Sequence, residues 1–216
     1  MRISKVLPAL VTMAVFVAGQ NMPDLSKAAD GQGWKVTGRK VTAVESSGKK
    51  AIRFDEAPGQ GVAWLTGSDF ADGTIEVDIK GEDKPQQSFV GVAFHVVDGI
   101  THEAVYFRPF NFKTPDAARR IRAVQYVSHP EFPWQRLRQE KPGEFEKGVN
   151  PVPDPNGWFH ARIVVERGKV SVFVDDGKEP CLVVNALSGR RSGQVGLWVG
   201  EASGGEFANL KITPAK

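Results

Sequence analysis

The sequence predicts an all-β fold, a two-sheet antiparallel sandwich interrupted by one long proline-rich loop. Three observations carry that reading. Helical periodicity is almost absent, short alternating apolar and polar runs recur about a dozen times, and each run ends at Gly, Asp or Pro. Glycine, proline and aspartate build turns and break strands, so regular spacing of this kind marks a sandwich or barrel.

The runs fall in order along the chain. The first four, residues 34–37, 40–44, 51–54 and 62–66, are short and bounded by Gly33, Gly38, Gly48, Gly61 and Gly67. Residues 74–80 give the cleanest alternation, with Ile75, Val77 and Ile79 against Glu76, Asp78 and Lys80. Residues 89–97 are almost continuously apolar, as a strand buried on both faces would be. The pattern continues at 104–110, 121–127, 159–166, 170–174, 182–184, 195–199 and 207–212. The tetrad Glu166-Arg167-Gly168-Lys169 reads as a two-residue hairpin turn, and Asp175-Asp176-Gly177 as a second turn. No repeat of fixed period and no second domain is visible.

Residues 1–19 read as a secretory signal peptide: Arg2 and Lys5 precede an apolar run from Val6 to Val17, and small residues follow. The run is shorter than the roughly 20 residues a membrane span needs, so no stable membrane anchor is expected after cleavage. Residues 20–216 then form a single domain, secreted or periplasmic. Of 28 basic and 25 acidic residues in the chain, Arg2 and Lys5 leave with the signal, and the mature balance is +1. That near-neutral charge excludes a general nucleic-acid binder. Positive charge is local instead: between Arg108 and Lys141 eight basic residues face three acids. Arginine's forked donors suit an anionic ligand such as a uronate or sulfated glycan. Cys181 is the only cysteine, so the fold has no internal disulfide and depends on core size.

Six of the 14 prolines lie between Ser128 and Gly157, a segment too rich in proline for central strands. Its embedded Trp134 implies a stiff, packed loop with room for a helical turn from Trp134 to Gln139. Tyr106, Arg108, Asn111, Gln125, Tyr126, Trp134 and Arg138 cluster in or beside it, the aromatic and planar polar groups that recognise sugars. Stacking by Tyr106, Tyr126 or Trp134 would contribute most of the affinity, with the polar groups fixing orientation. Strand parity puts Gly91, Ala93 and His95 on one face, and His95 is expected to converge there with Arg108, Gln125 and Asn111. If the site is catalytic, its general acid or base is to be sought among His95, Glu103 and Glu144.

No nucleophile elbow, zinc motif or phosphate loop appears, and no cofactor is implied. Asp69, Asp72, Asp175 and Asp176 leave calcium open as an oxygen-ligated ion, though their spacing matches no EF-hand and turn duty explains them. Glu76 and Asp78 begin the Glu-x-Asp-x-x-Glu strand pattern of laminarinase-type glucanases, but Gly81 stands where the second glutamate belongs.

Two segments carry a resemblance. Phe70-Ala71-Asp72-Gly73-Thr74-Ile75-Glu76-Val77-Asp78 resembles a characteristic strand of concanavalin A-like, laminin-G-like jelly rolls. The closing segments Gly196-Leu197-Trp198-Val199-Gly200 and Phe207-Ala208-Asn209-Leu210-Lys211-Ile212 resemble their last strands. The chain is also similar to secreted bacterial 3-keto-disaccharide hydrolase-type domains. The resemblance implies a jelly-roll sandwich with a glycan on its concave face. Carbohydrate binding without catalysis is the first expectation, keto-glycoside hydrolysis the second, and a non-catalytic envelope or interaction protein the third.

Overall fold

All thirteen predicted runs form strands in the computed structural model, which describes residues 19–215. The predicted signal segment lies outside the described residues except for Gly19. Two seven-stranded sheets pack face to face, and every strand pairing is antiparallel. The front sheet runs, in spatial order, β1 (Trp34–Thr37), β4 (Gly61–Leu65), β13 (Gln194–Val199), β6 (Val90–Val96), β7 (His102–Phe107), β8 (Val124–His129) and β9 (Glu146–Lys147). The back sheet runs β12 (Leu182–Asn185), β11 (Lys169–Val174), β10 (Trp158–Glu166), β5 (Gly73–Lys80), β14 (Gly205–Pro214), β3 (Lys49–Phe54) and β2 (Val41–Ser46). This is a jelly-roll sandwich of the concanavalin A-like kind.

Alternation decides what faces the core. Ile75, Val77 and Ile79 of β5, with Phe159, Ala161 and Ile163 of β10, point inward against Val90, Val92, Val105, Phe107 and Val124 of the front sheet, and all are buried. Phe159 joins the layers, its ring edge-on to Phe107 at 5.0 Å and to Phe112 at 5.4 Å. Removing a ring packed in this way costs about 3–5 kcal/mol. The hairpin from β10 to β11 turns on Arg167 and Gly168, both at positive φ (50° and 77°), the backbone of a type I′ turn.

The proline-rich segment differs from expectation at one place. Glu146–Lys147 pairs with Val124 and Gln125 and adds a seventh strand to the front sheet. It can pair because residues 143–150 hold no proline, so their backbone donors remain available. The expected helical turn is a helix, α2 (Trp134–Glu140), following Pro130 and Pro133 and anchored by buried Leu137. An Arg136–Glu140 pair at 2.9 Å spans one turn of it. Two predicted strands are shorter than expected. β7 ends at Phe107 because Pro109 opens a 3₁₀ turn over Pro109–Asn111, and β8 begins only at Val124, after the short helix α1 (Ala117–Arg120).

Candidate functional site

Strand register assembles the site on the outer face of the front sheet. Trp198, Gly91, Tyr106, Gln125 and Glu146 lie directly opposite one another across β13, β6, β7, β8 and β9, so their side chains share one face. Gly91 is the pivot of this row, since a Cβ there would press into the backbone of Val105 and Tyr106. With no side chain between them, the Tyr106 and Trp198 rings approach to 4.9 Å between centroids. Trp198 Nε1 donates to Gln60 Oε1 at 3.2 Å, and Phe89 stands edge-on to Tyr106. An aromatic floor results.

The polar half of the row is a network of arginine donors and oxygen acceptors. Arg108 Nη2 donates to Gln125 Oε1 (2.5 Å) and to the Tyr106 hydroxyl (2.8 Å), while its Nη1 donates to the Arg122 carbonyl (2.8 Å). Asn111 Nδ2 donates to that same carbonyl (3.2 Å), and Arg119 Nε donates to Asn111 Oδ1 (3.2 Å). Glu146, buried at the end of the row, takes a bidentate pair from Arg138 (3.0 and 2.6 Å), with Arg122 at 3.5 Å and Arg108 at 3.7 Å. Burial holds the Arg108 guanidinium below its ordinary pKa and raises the Tyr106 phenol. Four arginines against one glutamate leave a local charge of +3.

Helix α2 covers this row. Trp134 and Arg138 are one turn apart on it, and the guanidinium lies 4.7 Å from the indole ring centre. Trp134 is 39% exposed, which leaves its ring available to a ligand. Between helix and sheet runs a groove of 580 Å³ lined by Phe89, Tyr106, Trp134, Trp198, His129 and Gln60. A 120 Å³ extension lined by Arg108, Arg119, Arg122 and Arg138 shares Phe89, Gln86 and Trp134 with it. One end is aromatic and the other cationic. Two other hollows of comparable size, at Glu206 and at Leu25, lack an exposed aromatic ring.

Of the predicted ligand-binding residues, Tyr106, Arg108, Asn111, Gln125, Trp134 and Arg138 are brought together. Trp134 and Arg138 border the open space, whereas Arg108, Asn111 and Gln125 are each at most 5% exposed and act by holding their neighbours. Tyr126 is a correction: it alternates with Gln125 and so points between the sheets. There its hydroxyl donates to Glu103 and accepts from the Leu187 amide.

The expected convergence of His95 with Arg108 and Gln125 does not occur. Register shifts between β6 and β13 at this point, and His95 takes φ 48° in the bulge. The bulge swings its ring off the Gly91–Ala93 face to Glu103, with Nδ1 2.8 Å from Glu103 Oε1 and Nε2 donating to the Ala71 carbonyl. Burial opposes charge on both groups, yet their hydrogen bonds outweigh it, raising the His95 pKa and lowering that of Glu103. Glu103 is fully buried and also accepts from Ser188 Oγ at 2.5 Å. Glu144, the third acid–base candidate, is exposed and sits 3.6 Å from Lys141, away from the groove. Glu76 and Asp78 lie on the back sheet, with Asp78 held by His160, Lys49 and Asn209.

Asp72 and Asp175, named for calcium, accept from the Arg167 and His160 amides as turn residues do. Among the described residues no group of three or more His, Cys, Asp or Glu is disposed to hold a metal ion. Sequence reasoning did not single out Phe89, Trp198, His129 or Glu146. Trp198, between two glycines, carried a signal, but only register could assign its face.

No family model matches the chain, and no curated protein sequence matches it. Solved structures do. The carbohydrate-binding module CBM66 from Bacillus subtilis is similar with a TM-score of 0.59 and 17% identity, covering 83% of this chain and 95% of that one. A protein of Parabacteroides distasonis named provisionally as a glycosyl hydrolase is similar at a TM-score of 0.55 and 15% identity, over 96% and 99% of the two chains. The exoplasmic/lumenal domain of VIP36, bound to Ca²⁺ and Man3GlcNAc, is similar at 0.53 and 12% identity over 84% and 83%. At these identities the likeness establishes the shared concanavalin A-like fold.

Proposed function

We propose that this chain is an exported carbohydrate-binding sandwich, secreted or periplasmic, that takes an acidic saccharide in the groove beneath α2. One observation carries the reading: an exposed indole, Trp134, stacked on Arg138, stands over an aromatic floor that runs directly into an arginine cluster. A pyranose ring presents an apolar face to Trp134, and its carboxylate or sulfate meets the free donors of Arg119 and Arg122. Arg108, Gln125, Asn111 and Glu146 hold that arrangement in place. The signal-like residues 1–19 support export, and no helix among the described residues is long and apolar enough to cross a membrane. That CBM66 is a carbohydrate-binding module and VIP36 was solved with a mannose-containing glycan agrees with a sugar ligand.

Hydrolysis is the weaker reading because the buried acid–base pair, His95 and Glu103, lies away from the groove. A glycan array tests the proposal with wild type, Trp134→Ala and Arg122→Ala. Wild type should mark uronate- or sulfate-bearing glycans, and Trp134→Ala should lose that signal. Equal signals from wild type and Trp134→Ala would refute the site.

A further inference from the structure

A second cavity, of 280 Å³, opens where the sandwich closes at the β10–β11 hairpin, and the groove does not use it. Asp72, His95, Arg167, Ser188, Arg190 and Arg191 line it. The three arginines come from two loops, Arg167 from the type I′ turn and Arg190 and Arg191 from the connection between β12 and β13. None of them forms an ion pair among the described residues.

The nearby acids are engaged elsewhere. Asp72 Oδ1 accepts from the Arg167 amide at 3.0 Å, and Glu103 is shared by His95, Ser188 and Tyr126. Arg190 spends Nη2 on Ser128 Oγ at 3.1 Å, but its Nε is buried with no partner. No side-chain hydrogen bond occupies the guanidinium groups of Arg167 and Arg191 among the described residues, so an acceptor entering the cavity meets free donors there. Among the groups that line the space, three guanidinium groups stand against the single carboxylate of Asp72, an excess of +2.

We propose that this cavity binds a tetrahedral oxyanion, a phosphate or sulfate, with the guanidinium groups of Arg167, Arg190 and Arg191 as donors. Guanidinium forks suit the oxygens of such an anion because each presents paired N–H donors. The anion could arrive free or as an ester on a sugar, and the two sources share this chemistry.

The test is thermal unfolding of the full chain against inorganic phosphate, with chloride holding ionic strength constant, repeated with glucose 6-phosphate. Phosphate should raise the midpoint saturably. Arg191→Ala and Arg167→Ala, both at exposed positions, should each weaken apparent affinity about tenfold. Arg119→Ala/Arg122→Ala, which removes the groove's free arginines, should leave the phosphate response intact, as should Trp134→Ala. Stronger stabilisation by glucose 6-phosphate identifies an ester ligand, and equal stabilisation a free anion. A response no larger than that to chloride, one undiminished in Arg191→Ala and Arg167→Ala, or one lost only in Arg119→Ala/Arg122→Ala would overturn the proposal.

Discussion

Strands β6, β7 and β8 carry similar polar equipment on their two faces, and the faces do opposite things. Outward, Tyr106, Gln125 and Arg108 form a network that opens past Arg119 and Arg122 to solvent. Inward, Glu103, Tyr126 and His95 form one just as dense, closed by the Leu187–Ser188 segment. The residue types are nearly interchangeable. What separates the open network from the closed one is side-chain parity, because neighbours in a strand face opposite sides. A polar cluster in a sandwich therefore indicates function only after its face is known.

The largest effect should come from the inner face. Glu103→Ala strands the His95 ring nitrogen and two hydroxyl donors in the interior, and its cost is about 3–5 kcal/mol. Urea denaturation at pH 7 measures this, and a loss under about 1 kcal/mol would show that the cluster is hydrated. On the outer face the order of effects reverses. Trp134→Ala should change stability by no more than about 0.5 kcal/mol while lowering saccharide affinity about tenfold or more, read by calorimetric titration.

Arg119→Ala/Arg122→Ala should act more selectively. It should weaken an acidic oligosaccharide about three- to tenfold and flatten the salt dependence of its binding, leaving a neutral analogue unaffected. Loss of both ligands together would mean that the arginines shape the groove and do not read charge.

In pH, two histidines titrate in opposite senses. His95 has a raised folded pKa, so its contribution is complete below its ordinary value of 6.5 and fades as pH rises through the folded value. His102 sits on the outer-face side of β7 with neither ring nitrogen partnered, and burial, helped by His129 and Arg190, pulls its pKa down to about 3. Folding then keeps it neutral, and stability falls as pH drops from 6.5 towards 3. Stability–pH curves of His95→Gln and His102→Gln, subtracted from wild type, should slope in opposite directions. Parallel curves would contradict the assignment of the two environments.

The fold was legible because alternation such as Ile75, Val77 and Ile79 writes the buried face directly into the chain. The site was partly legible: Arg108, Asn111, Gln125, Trp134 and Arg138 are close in sequence, and their chemistry drew attention before their geometry was known. Tyr126 was misplaced against parity, since its neighbour Gln125 already occupies the groove face, and Glu103 was misplaced because facing depends on pairing register, which sequence does not fix. His95 was misplaced by a single bulge, which reverses parity without any proline or glycine at that position to announce it. Glu146 was hidden because a two-residue strand inside a proline-rich segment leaves almost no periodic signal.

The central claim is that the outer face is the one that meets ligand. ¹⁹F NMR on protein carrying 5-fluorotryptophan at its five tryptophans, titrated with a polyuronate oligosaccharide, tests it most directly. Trp134 and Trp198 should shift saturably while Trp34, and Trp158 on the back sheet, stay fixed. A shift confined to Trp158, or none at Trp134 at saturating ligand, would contradict it.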